Sequence, residues 1–114
     1  MFEEFDGVAE YEAESARLWL LAAEQGHATA QLNIGTAFAV GTGVTKDNAQ
    51  AARWWCRAVA QGEANLDARN AADFLRHLAQ EDRSVADRLN WMGFWFFHLK
   101  RPFSHDAVFD EKTL

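Results

Sequence analysis

The chain has 114 residues, 49% of them hydrophobic, with one proline and one cysteine, which is enough for a single domain to bury a core unaided. A net charge of −6 argues against a nucleic-acid backbone as the partner, and a lone cysteine excludes a disulfide framework within one chain. Alanine is the commonest residue and glycine is sparse, seven in all, the profile of an all-helical domain.

In chain order, no cationic stretch followed by an apolar run opens the sequence. No secretory signal is therefore expected, and a reducing cytoplasm is the default, although a trimmed periplasmic chain would look the same. The first helix is predicted over 9–25. Its approach is acidic, with Glu3, Glu4, Asp6, Glu10, Glu12 and Glu14 all preceding Arg17. That is a solvated face or, with Glu10 and Glu14 as contact residues, a docking patch for a basic protein surface. A second helix over 28–40 follows from Ala30, Ile34 and Phe38, which recur every four residues as one apolar stripe. Gly35 beside Ile34 allows a neighbouring helix backbone to come close. Gly41 and Gly43 mark a turn that needs positive φ.

A third helix over 47–61 begins at an Asp47 cap, with Gln50 three residues on in the pattern of a capping box. Ala51, Trp55, Ala58 and Val59 form its buried face, and Gly62 ends it. A fourth helix is predicted over 65–80 and a fifth over 84–100, capped by Ser84, with Pro102 blocking much continuation.

An internal repeat underlies these elements. At a spacing of 36 residues, Trp19, Trp55 and Trp91 align, as do Phe2, Phe38 and Phe74. Gly7-Val8 falls on Gly43-Val44, and Gln25-Gly26 on Gln61-Gly62. Rare residue types recurring at one spacing mark a repeat architecture.

The most complete copy, Ala28 to Gly62, resembles the Sel-one-like repeat, a relative of the tetratricopeptide repeat. The matching positions include Ala28, Ala30, Ile34-Gly35, Gly41, Gly43, Val44, Asp47, Ala51, Trp54, Trp55, Ala58 and Gly62. Ile stands in place of the family's Leu, and Val59 in place of its second Ala. The resemblance covers about residues 7 to 64 and implies a single domain, 1–114. That domain would be an all-α, short right-handed α/α solenoid of about two and a half helix pairs. Repeat-like helices would occupy 9–62, a degenerate repeat 63–100 and a tail 101–114. The first copy lacks its first helix, so Leu18, Trp19, Leu21 and Ala22 are expected to need cover from elsewhere.

The run "NWMGFWFFHL" at 90–99 is half the length of a membrane span and has Arg88 and Lys100 close by, so no membrane span is expected. It is too apolar for one preceding helix to cover. The tail, with Phe103, Val108 and Phe109, is one candidate cover. A partner or a second copy against Phe94, Trp95 and Phe97 is another, and insertion at a membrane surface is a third.

Chemistry is sparse. His27, His77, His98 and His105 are scattered, no metal-binding spacing occurs, and "GTGVTKD" lacks the spacing of a phosphate loop. Cys56 aligns with Leu20 and Met92, which suits a small apolar core residue. No catalysis, cofactor or metal is expected. The resemblance implies a protein-protein interaction module, an adaptor or inhibitor, with bacterial immunity proteins that neutralise a toxin among the short members. The alternative is an assembly protein that self-associates, as a homodimer, through its aromatic C-terminal helix.

Overall fold

The computed structural model describes the backbone of residues 2–62 and 64–91, with side chains between 9 and 90. Five α-helices run in order: α1 (Phe2–Glu24), α2 (Ala28–Val40), α3 (Asn48–Val59), α4 (Leu66–Glu81) and α5 (Arg83–Trp91). The described residues contain no strand. Each helix packs chiefly on its neighbour in sequence, while α2 also meets α4 and α3 meets α5.

The first helix begins at Phe2, not at residue 9, so Gly7 lies within a helix where Gly43 lies in a turn. One glycine does not make this turn. In the Gly41–Gly43 loop both glycines have positive φ, 87° and 78°, whereas Phe5 occupies the position equivalent to Gly41. The helix therefore continues through Gly7 at the modest cost of a helical glycine.

Asp47 caps α3 by accepting from the Gln50 backbone N–H at 3.1 Å. The Asp47 backbone N–H donates to Phe38 O at 2.8 Å, tying the loop back to α2 in place of the return half of a capping box. Asn65 caps α4 from the Asp67 and Ala68 N–H groups. The joint between α4 and α5 is Asp82 alone, and Asp82 is the cap, correcting Ser84. Its carboxylate accepts both the Ser84 hydroxyl and the Ser84 N–H, two bonds at one oxygen that a serine cap would not gather. The Asn48 amide donates to its other oxygen at 2.9 Å, linking the start of α3 to this joint. These bonds, the Ser84 hydroxyl foremost, hold the Asp82 carboxyl below its ordinary range.

Adjacent tryptophans on α3 divide the core. Trp54 closes a cluster with Ala16 and Ala23 of α1 and Ala30 and Ile34 of α2. Trp55 joins the larger cluster of α2 to α5, with Leu32, Ala58, Leu75, Val85 and Leu89. Gly35 admits the indole itself rather than a helix backbone. A Cβ there would overlap Nε1 and Cδ1 of Trp55, whose Nε1 donates to Leu32 O at 3.1 Å. Phe38 is half-buried between the two clusters.

The ends of the first three helices are tied by amides. Gln61 donates to Gly26 O and to the Gln31 side chain, and buried Gln31 donates to Ala23 O. Gly26 and Gly62 each follow a helix end with positive φ.

Candidate functional site

The outward face of α2 carries Asn33, Thr36, Ala37 and Val40, spaced three and four apart as one helical stripe. Grooves flank it on both sides. Toward α1 it forms a cavity of about 310 Å³ with Tyr11, Ser15 and Trp19, again one stripe at four-residue spacing. Toward α4 a cavity of about 270 Å³ is walled by Phe74, His77 and Glu81. Thr36 and Val40 belong to both, so the grooves adjoin along α2.

This surface is largely apolar where solvent reaches it. Tyr11 is 73% exposed and Val40 66%, with Trp19 and Phe74 at about 40%. Phe74 leans on Trp55, ring centroids 5.4 Å apart and tilted by 53°, so its position is set by the core beneath. Polar groups at the rim, Glu12 and Asn33 on one side and Lys46, Asn48 and Glu81 on the other, provide orientation without a reactive pair. Among the described residues no group of three His, Cys, Asp or Glu side chains is placed to hold a metal.

Glu10 and Glu14 are both exposed on α1. Glu14 is engaged by Arg17 at 2.5 Å, and that hydrogen bond holds its carboxyl below the usual range. Phe94, Trp95 and Phe97 lie outside the described residues, as does the 92–100 part of the predicted fifth helix. Trp91 is helical in backbone. Among the described helices none is long and apolar enough to cross a membrane.

The aligned tryptophans are not equivalent. Trp55 is 4% exposed and Trp19 40%; Trp55 fills the slot that Gly35 of α2 leaves open. Leu18 and Leu21 are likewise half exposed, at 53% and 46%, an apolar edge on α1 that the described residues leave uncovered. Cys56 is half-buried against the α2–α5 cluster, and burial pushes its thiol up to about 12. It is neutral at physiological pH and a poor nucleophile.

Partner surfaces were expected on the acids of α1, on its Leu18–Ala22 edge and on the aromatic C-terminal run; Trp19 of that edge does line a groove, but the α2 face was overlooked. Its signal was present, since Val40 falls outside the Ala30–Ile34–Phe38 stripe yet is as apolar. No family model, curated protein or solved structure matches the chain.

Proposed function

We propose that this chain is a non-catalytic protein-binding module. In this reading it is a short right-handed solenoid of Sel-one-like type that takes a segment of another protein along α2. The observation that carries the reading is the pair of adjoining grooves framed by Tyr11, Trp19, Val40 and Phe74 from three helices. Exposed apolar surface shaped into a groove and rimmed with polar groups is how helical scaffolds take a partner peptide. The grooves adjoin, so a partner segment can run from α1 to α4 across the width of α2. The narrower role of an immunity protein rests on the family resemblance and adds that the partner is a toxin whose activity is lost on binding.

Panning a random peptide library against the chain tests this reading. Selected peptides should lose at least ~10-fold in affinity for Val40→Asp, since burying a valine side chain is worth roughly 1.5 kcal/mol or more. Val40 is exposed, so the melting temperature should fall by no more than a few degrees, about what a carboxylate at the C-terminal end of α2 costs. Peptides that bind Val40→Asp and Tyr11→Ser as well as wild type would contradict it.

A second reading, self-association, is favoured by exposed Leu18 and Leu21 on the uncovered edge of α1. Light scattering separates the two. A dimer that Leu18→Asp with Leu21→Asp converts to a folded monomer would support assembly through that edge.

A further inference from the structure

A third and larger groove, about 400 Å³, runs between α3 and α5. Its floor is apolar, with Val85 and Leu89 beside Cys56, and Arg53, Arg57 and Arg88 stand on its rim. Arg53 and Arg57 are one turn apart on α3, and Arg88 reaches in from α5. The Arg57 guanidinium carbon sits 4.7 Å from the centroid of the Trp54 ring, which fixes its position. None of the three is paired with a described carboxylate. The described ion pairs are Arg17–Glu14 and Arg76–Asp73.

Three uncompensated guanidinium groups around an apolar floor, on a chain of net charge −6, suit a segment that is apolar along one side and acidic at its edges. A nucleic acid is a poorer fit, because its phosphates would meet an apolar floor and a negatively charged molecule. The sequence contains a segment of the right chemistry. Residues 103–111, "FSHDAVFDE", carry Phe103, Val108 and Phe109 together with Asp106, Asp110 and Glu111, and they lie outside the described residues.

Fourteen residues lead from Leu89 to Phe103, a length that spans up to roughly 46 Å when extended and roughly 21 Å when helical. Tethering supplies an effective concentration of order mM. A contact with a dissociation constant of ~1 mM would therefore already be half occupied.

We propose that the groove between α3 and α5 is the docking site of the chain's own 103–111 segment, its carboxylates on Arg53, Arg57 and Arg88 and its phenylalanines on the floor beside Cys56. This groove is separate from the α2 face, and the proposal does not rest on the function proposed above.

Cys56 is the only cysteine and lines the groove, so its alkylation by neutral iodoacetamide in the full-length chain, at fixed alkaline pH, reports occupancy. Asp106→Lys with Asp110→Lys should speed alkylation about tenfold with the helical circular dichroism unchanged. Arg53→Glu with Arg57→Glu should also speed it, although acids beside the thiol by themselves would slow it. Combining the two double variants should restore the slow wild-type rate. Tail variants that alkylate at the wild-type rate, or a combined variant as fast as either parent, would overturn the proposal. Protection that fades on dilution would also overturn it, assigning the groove to a second copy. Protection that appears only when an acidic peptide is added in trans would assign it to a partner instead.

Discussion

The indole of Trp55 lies over Gly35, and its Nε1 donates to Leu32 O within the same helix. This arrangement reverses the ordinary expectation for a glycine in a helix. Replacing such a glycine by alanine usually stabilises by about 1 kcal/mol. Here the new Cβ would displace the indole, costing roughly 1–3 kcal/mol of overpacking and endangering a buried hydrogen bond worth about 1 kcal/mol. Gly35→Ala should therefore destabilise in urea titration, by roughly 2 kcal/mol, and Trp55→Ala should cost about 3–5 kcal/mol. A stabilised Gly35→Ala variant would mean that the indole does not occupy this slot.

Cys56 gives a second test at the same scale. Its folded thiol is raised to about 12 by burial, above the roughly 8.5 of an unfolded cysteine. The folded state therefore keeps a proton that the unfolded state releases, and stability is lost as pH rises through that window. Wild type should lose stability between about pH 8.5 and pH 12 more steeply than Cys56→Ala, compared by denaturant melts in alkaline buffers.

Among the elements, α1 carries both the acidic surface and the uncovered apolar edge. Glu10 and Glu14 are exposed, and the Glu14–Arg17 pair has both side chains more than half accessible, so charge here contributes little to folding. Reversing both acids to lysine should change stability by no more than about 0.5 kcal/mol. If this face steers a basic partner, the same variant should slow association and flatten its salt dependence in stopped-flow measurements. Association kinetics identical to wild type would leave the acids as a solvated face.

How much of each element was legible depended on whether its boundary was set by one residue or by several. The loop from Gly41 to Asp47 was legible because two glycines and a carboxylate specify it together. The start of α1 was not, since Gly7 alone is a weak signal that helical neighbours override. The Asp82 joint was missed because serine and aspartate both make good caps. Only the three-dimensional arrangement shows that Asp82 collects bonds from both Ser84 and Asn48. The α2 groove was hidden for a different reason. It is assembled from stripes on three helices, and sequence periodicity ranks residues within one helix, not across several.

At the scale of the whole molecule, helices packed on their sequence neighbours place small residues at the contacts and leave apolar side chains standing along α2. The proposed function depends on that face being where a partner sits, and not the Leu18–Leu21 edge or the arginine groove. Titrating isotope-labelled chain with a peptide selected by panning, and following amide shifts by NMR, locates the contact residue by residue. The largest changes should fall at Tyr11, Thr36, Val40 and Phe74 and their neighbours, with Val40→Asp abolishing them. Changes centred on Leu18 and Leu21, or on Arg53 and Arg88, with the α2 face undisturbed, would contradict it.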